Sequence, residues 1–124
     1  MAAPNIVNVS SIYGKTAMVK LSTNSATSVL ANSAASGKVF KLAGVLAANT
    51  EGASVNVAFD LYITRSGTDY YLAKAITIPA LAAYEAFLKD GTPVYLEEGD
   101  TLYAKSGNTN GYIDVLVAYE EISA

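Results

Sequence analysis

Alternation of apolar and polar residues with a period of two is the feature that most constrains the fold of this chain. It is clearest in the segment ASVNVAFDLYIT, where the apolar positions are Val55, Val57, Phe59, Leu61 and Ile63. Successive side chains of a β-strand point to opposite faces, so this pattern predicts a strand with one buried face. Turn-rich segments, NTEG before it and RSGTD after it, bound the strand, and we expect it to pair through both turns.

The same period recurs near the C-terminus and in several shorter segments. In GYIDVLVAYEEI the predicted inward residues are Ile113, Val115, Val117 and Tyr119, and the intervening ones are Tyr112, Asp114, Leu116, Ala118 and Glu120. Further strands are predicted over residues 15–22, 26–32, 38–49, 70–79, 93–98 and 101–106. The strand at 38–49 is apolar on both parities, which is typical of a strand covered on both faces or of a bulge near Gly44.

Turn signals separate these strands at roughly the 8 to 12 residue spacing of all-β folds. The sequence therefore predicts a single all-β domain, an antiparallel β-sandwich or jelly roll. We expect the strands over 38–49, 55–64 and 70–79 to form a three-stranded meander. The predicted organisation is an N-terminal arm over residues 1–12 and a β-sandwich domain over residues 13–124.

One segment, IPALAAYEAFLKDG at residues 78–91, also has helical features. Pro79 suits the first position of a helix, Leu81, Tyr84 and Leu88 lie at helical spacing, and Gly91 could end it. Period two fits part of the same segment, and a sandwich needs a strand here. Because tertiary context often outweighs propensity, a strand is expected.

Composition excludes most familiar kinds of catalytic and metal site. The chain has no Cys and no His, and its net charge is -3. Thiolate and imidazole chemistry and the commonest zinc ligands are therefore absent, no phosphate-binding glycine motif occurs, and no basic surface for nucleic acid or anionic lipid is expected. The start, MAAPNIVNVSS, lacks the features of a secretory signal. We expect no enzymatic activity, no cofactor, no metal, and neither nucleic acid nor membrane as a partner.

The segment PVYLEEGDTLYAK is the one cluster of acidic residues. Glu97, Glu98 and Asp100 surround Gly99 between two apolar runs. Gly and Asp are typical of tight turns, so the segment predicts a hairpin corner. The alternatives are a calcium loop, since Ca²⁺ binds clustered carboxylates, and a pair of catalytic carboxylates.

Tyrosine is unusually frequent, with nine residues against three Phe and no Trp. Tyr suits strands, but its apolar ring and hydroxyl also suit contact surfaces and sugar-binding sites. Tyr70 and Tyr71 are adjacent, so on a strand one ring is expected to face the core and the other solvent or a partner. The segment STNSATSVLANSAASG at residues 22–37 is predicted to be a surface loop or an edge strand.

The chain resembles a family of small virion structural proteins of tailed bacteriophages, notably those of cyanobacterial and marine hosts. The segments that carry the resemblance are MAAPNIVNVSSIYGKTA, GKVFKLAGVLAAN, VNVAFDLY, YYLAKAITIPA, VYLEEGDTLYA and VLVAYEEIS. It implies a β-sandwich, with a strand after the IPA turn. It also implies a capsid decoration or cement protein on the capsid surface of the virion, made in the host cytoplasm and binding the major capsid protein. A homotrimer is expected from the symmetry of capsid lattices alone.

In that role we expect a bind-and-hold mechanism with contacts from Pro4, Asn5, Ile6 and Val7 of the arm and from Tyr70 and Tyr71. Pro4 disfavours a helix start, and short terminal segments gain order mainly by pairing with something else. The alternatives are a structural protein of the tail, neck or baseplate, or a glycan-binding adhesin using Tyr112 with Asp114. An enzyme would need a carboxylate such as Asp60 or Asp114 in a pocket.

Overall fold

The computed structural model describes residues 8–51, 54–86 and 94–124. The strands within these ranges are β1 Ser11–Leu21, β2 Thr27–Ala31, β3 Lys38–Asn49, β4 Val57–Arg65, β5 Thr68–Ile78, β6 Ala83–Ala86, β7 Val94–Leu96, β8 Thr101–Ser106 and β9 Ile113–Ser123. Among the described residues, none belongs to a helix that is long and apolar enough to span a membrane.

The strands form two antiparallel sheets. The first sheet has the order β1-β9-β3-β6, with β7 also paired to β3, and the second has the order β2-β8-β4-β5. Four pairings nest inside one another along the chain: β1 with β9, β2 with β8, β3 with β6 and β7, and β4 with β5. Successive pairings alternate between the sheets, which is the arrangement of a jelly roll. The predicted all-β sandwich is confirmed.

The core lies between the two sheets at the positions that the alternation predicts. The buried residues from the two most regular strands are Val57, Phe59, Leu61 and Ile63 of β4, and Ile113, Val115 and Val117 of β9. Burial of one such side chain contributes about 1.5 to 3 kcal/mol to folding. The predicted bulge near Gly44 is also present, since the pairing of β3 with β9 shifts register between Leu42 and Gly44.

Two buried asparagines fix corners where the chain passes from one sheet to the other. The Asn32 Nδ2 donates hydrogen bonds to the carbonyl oxygens of Lys38 and Leu96, at 2.9 and 3.0 Å. Asn49, the last residue of β3, donates in the same way to two carbonyl oxygens at 2.8 and 3.0 Å. Each side chain joins the carbonyl groups of two separate segments at a corner, so the corners are stabilised from inside.

The expected three-stranded meander is wrong, because β3 and β4 lie in different sheets. Both edges of β3 are already paired, one with β9 and the other with β6 and β7. The chain after Asn49 therefore crosses to the second sheet. Only β4 and β5 form the expected hairpin, through Ser66 and Gly67.

The strand interpretation of the ambiguous segment is confirmed where the structure describes it. A turn closed by the Ala82 amide and the Pro79 carbonyl, at 3.1 Å, precedes β6, which pairs with β3. Residues 87–91 of that segment lie outside the described residues. At the other end, β1 begins at Ser11, so the last two residues of the expected arm belong to the first strand.

Candidate interaction surfaces

The acidic turn between β7 and β8 is built around Asp100, which is only 1% exposed. Its Oδ1 accepts a hydrogen bond from Arg65 Nε at 2.8 Å, and its Oδ2 accepts from Arg65 Nη2 at 2.5 Å and from the Glu97 amide at 2.8 Å. The hydrogen bond to Asp100 raises the pKa of Arg65, and the charges of Asp100 and Glu97 add to this against the effect of burial. Such a bidentate pair fixes both the turn and the end of β4.

Two of the three carboxylates of this turn bind the same arginine, since Glu97 Oε2 lies 3.2 Å from the Arg65 Nη2 that also binds Asp100. Glu98 points elsewhere, and its Oε2 accepts the Gly37 amide at 2.9 Å from the loop before β3. In the parts of the chain that the structure describes, no group of three or more acidic, His or Cys residues is placed to hold a metal ion. The predicted turn is present, but it connects strands of different sheets, so the expected hairpin corner is wrong.

A row of tyrosines crosses the outer face of the second sheet. Tyr103 of β8, Tyr62 of β4 and Tyr71 of β5 are cross-strand neighbours, with ring centroids 5.5 and 4.9 Å apart. The Tyr62 and Tyr103 rings are stacked, at an interplanar angle of 21°, and the Tyr71 ring is tilted by 37° against Tyr62. Burial raises the pKa of the Tyr62 hydroxyl, and the charge of Asp69 adds to this. Because both faces of Tyr62 are covered, a sugar cannot stack on this ring without displacing a neighbour.

The adjacent Tyr70 and Tyr71 are 59% and 43% exposed. Tyr70 pairs with the core residue Ile63, and Tyr71 pairs with Tyr62, so the two side chains do lie on opposite faces of the sheet. Tyr70 therefore lies on the core-facing side of the sheet, as expected, but it stays exposed beside an open groove that β7 of the other sheet also lines. Lys74 Nζ lies 4.2 Å from the Tyr71 ring centroid.

The other predicted site residues are distributed over separate parts of the molecule. Pro4, Asn5, Ile6 and Val7 lie outside the described residues. Tyr112 accepts a hydrogen bond from Asn110 Nδ2 at 3.1 Å, and Asp114 pairs with Lys20 at 2.7 Å. Asp60 Oδ1 accepts the Ala75 amide at 2.6 Å. The two aspartates that an enzyme would need are therefore occupied by structural contacts on different sheets.

The outer face of the first sheet carries a ridge of large apolar side chains. Met18 of β1, Leu116 of β9 and Leu46 of β3 are in register and are 70%, 36% and 40% exposed. Their neighbours Val115 and Val117 are fully buried on the inner face. We name Met18, Leu116 and Leu46 the ridge.

A row of small side chains lies beside the ridge on the same face. Thr16, Ala118 and Gly44 are in register two residues further along the three strands, at a spacing of about 6.8 Å. A groove runs over this row, which we name the small row. A second groove follows the opposite side of the ridge, beside Lys20 and Asp114.

Charged pairs flank both rows. Beyond the ridge, Lys20 Nζ lies 2.7 Å from Asp114 Oδ1, and beyond the small row, Lys41 Nζ lies 4.0 Å from Glu120 Oε1. Each pair joins neighbouring strands across the face. The charges therefore balance at each end, and the centre of the face is apolar over β1, β9 and β3, whereas Glu85 of β6 lies in register beside Leu46.

Sequence reasoning identified tyrosines as candidate contacts but missed the ridge. The signal was present in the alternation itself, because Leu116 and Ala118 share the parity of Asp114 and Glu120, which is otherwise polar. Met18 and Leu46 become neighbours of Leu116 only through the register of three strands that are distant in sequence.

The fold is similar to that of a chain in the acidic stable capsid structure of Helicobacter pylori bacteriophage KHP30. The TM-score is 0.55 at 13% identity, over 93% of this chain and 90% of that chain. At this identity the likeness concerns the fold alone. No protein-family model and no curated protein sequence matches the chain.

Two structures of a pentameric capsid protein isolated from metagenomic phage sequences also match. Their TM-scores are 0.40 and 0.41 at 19% identity, over 98% of this chain and 65% and 64% of theirs. TM-scores this low do not establish a common fold, so no conclusion follows from these two.

Proposed function

We propose that the protein is a structural component of a tailed-phage virion, and that it acts as a capsid decoration or cement protein bound to the major capsid protein. The observation that carries the proposal is the match of fold, over nearly the full length of both chains, to a chain of a phage capsid structure. The ordered resemblance of the sequence to small virion proteins supports the same role.

The mechanism that we propose is binding without catalysis. The described carboxylates of the acidic turn and Asp60 and Asp114 are held by structural hydrogen bonds and ion pairs. The ridge exposes large apolar side chains on the strands of the first sheet. A surface of this kind on regular strands suits a protein that holds its neighbours in a fixed geometry.

We propose that the capsid contact uses Tyr70 and Tyr71 on the edge strand β5, together with the arm residues Pro4, Asn5, Ile6 and Val7. An exposed edge strand with tyrosines offers both unpaired backbone groups and large amphipathic side chains to a partner. The expected trimer derives from lattice symmetry alone, and the proposed contact does not depend on it.

The test is cryo-electron microscopy of the purified phage that encodes this chain. Density of the protein repeated over the capsid shell is the expected result. Density confined to the tail tip, baseplate or neck would reject the cement role and support one of the alternative structural roles.

Binding of purified variants to capsids that lack the protein tests the proposed contact. Tyr70→Ala and deletion of residues 1–8 should each reduce the bound amount at least about tenfold. Tyr13→Ala is the matched control, because Tyr13 is 58% exposed but lies on the other sheet. Equal binding of all variants would remove Tyr70 and the arm from the contact.

A further inference from the structure

The ridge and the small row together make the outer face of the first sheet complementary to itself. The ridge stands above the sheet along one line across β1, β9 and β3, and the small row leaves a groove along the next line. The two lines contain the same number of residues from the same strands. A second sheet with the same relief, placed face to face in the opposite strand direction, would lay its ridge in this groove.

We infer that this face is the contact surface between two copies of the chain, related by a two-fold axis that runs across the strands at Val117, between the ridge and the small row. This axis reverses the strand direction and preserves the position across the sheet. Leu116 of one copy then lies over Ala118 of the other, Met18 over Thr16, and Leu46 over Gly44. This is an isologous contact, in which the same patch serves both partners.

The charges at the two ends of the face fit the same axis. Because the axis preserves the position across the sheet, Asp114 of one copy lies over Glu120 of the other, and Lys20 and Lys41 extend from them to opposite sides. Each end of the contact then contains two ammonium and two carboxylate groups with no net charge. The alternative axis, parallel to the strands, would set ridge against ridge and leave both grooves empty, which is poor packing for an interface core.

The size of the face is also sufficient for a stable dimer. Three long strands about 4.8 Å apart, each about eleven residues at about 3.4 Å, together with the short strands β6 and β7 give a face of roughly 650 Å². Standard interfaces bury about 800 Å² on each partner. A second copy is the occupant that fits, because the relief of the face is complementary to itself and the charges at each end of the contact sum to zero.

This inference is independent of the proposed function, because it concerns the purified chain in solution. Sedimentation equilibrium or light scattering on the full chain should give the mass of a dimer. A monomer at about 100 µM, or a trimer, would overturn the inference.

Leu116→Asp tests the position of the contact. It places a charge at the centre of the ridge, so the dissociation constant of the dimer should rise about 100-fold or more. Leu81→Asp is the matched control, since Leu81 is 73% exposed in the turn before β6 and lies outside the face. An undiminished dimer in Leu116→Asp would overturn the inference.

Ala118→Leu separates an interlocked contact from general apolar association. It enlarges the apolar surface but fills the groove, so we expect the dissociation constant to rise at least about tenfold. Tighter association would contradict the interlocking. The double variant Leu116→Ala with Ala118→Leu exchanges ridge and groove on β9, and its dissociation constant should return to within a few-fold of the original value. Failure of the exchange to restore the dimer, with the fold intact by circular dichroism, would reject the proposed axis.

Discussion

Gly111 lies in the turn before β9 with a φ of +74°, a region that L side chains rarely adopt. A Cβ at this position would overlap the carbonyl oxygen of Leu21. Leu21 is itself paired with Ile113 at the end of the β1 and β9 ladder, so its backbone has little freedom to move. We predict that Gly111→Ala lowers the free energy of unfolding by at least about 3 kcal/mol, measured by urea denaturation.

Gly14→Ala is the control for this prediction. Gly14 has no positive φ, and an added Cβ would meet nothing within 4 Å. Its replacement should change the free energy of unfolding by no more than about 0.5 kcal/mol. Equal stability of the two variants would show that the turn at Gly111 adapts to a side chain.

Asp100 provides a second prediction at the scale of single residues. Asp100→Asn removes the charge that pairs with Arg65 and weakens the acceptor of the Glu97 amide, so the free energy of unfolding should fall by about 2 kcal/mol. Glu97→Gln removes the other acidic partner of this arginine. The Glu97 side chain is 58% exposed, so the free energy of unfolding should fall by less than about 1 kcal/mol. The order of the two variants in chemical denaturation checks the assignment, and a reversed order would contradict it.

The sequence predicted the turn at Asp100 but could not predict its partner. Gly99 and Asp100 are local turn signals that any reader of the chain can find. Arg65 is 35 residues away and meets Asp100 because β4 and β8 pair in the second sheet. An ion pair that depends on strand register, such as this one, therefore cannot be predicted before the register is known.

Individual strands were predicted better than their pairings. β3 and β8 have the predicted bounds, residues 38–49 and 101–106, because turn residues end both runs. The segment before and through β6 favours a helix by propensity, yet Ala83–Ala86 is a strand since β3 offers it an open edge. The prediction of a three-stranded meander was wrong because both edges of β3 are already paired, which leaves no edge for β4.

A buried carboxylate joins three strands of the first sheet. Glu121 of β9 lies 3.2 Å from both Lys15 of β1 and Lys38 of β3. Burial raises the pKa of Glu121, but the hydrogen bonds and charges of the two lysines outweigh burial, and the pKa lies below its ordinary value of 4.5. A carboxyl group whose folded-state pKa is lowered stabilises the protein fully above its unfolded pKa, and loses that contribution as the pH falls through the folded-state pKa.

We therefore predict that Glu121→Gln is less stable than the parent protein at pH 7 and that the difference shrinks as the pH falls below about 4.5. Urea denaturation of both proteins between pH 7 and pH 3 measures this. Glu97→Gln serves as the control, since its side chain is 58% exposed and the difference at pH 7 should be small. Stability curves of Glu121→Gln and the parent that stay parallel over the whole range would contradict the prediction.

At the scale of the whole molecule, period two and turn spacing were enough for the class of fold. The topology was not predictable from them, because strand order depends on which edges are free after each pairing. The candidate surface divides in the same way: the exposed Tyr70 and Tyr71 could be named from the sequence, whereas the ridge and small row are products of register.

The nested pairing of distant strands predicts slow folding. Every residue of β1 pairs with a residue of β9 more than 90 positions away, since the register runs from Ser11 with Ser123 to Leu21 with Ile113. All-β domains dominated by such contacts fold in milliseconds to seconds. Stopped-flow refolding should give relaxation times of about this range, and relaxation in microseconds would contradict the assigned topology.

The central place of β9 in the first sheet also has a consequence during synthesis. β9 lies between β1 and β3 along its whole length, so those two strands have no common neighbour until the ribosome has released residues 113–123. Neither the ridge nor the small row exists before that moment, because each takes its middle residue from β9. A nascent chain whose residues 113–123 have not yet emerged from the ribosome therefore cannot associate with another copy through this face.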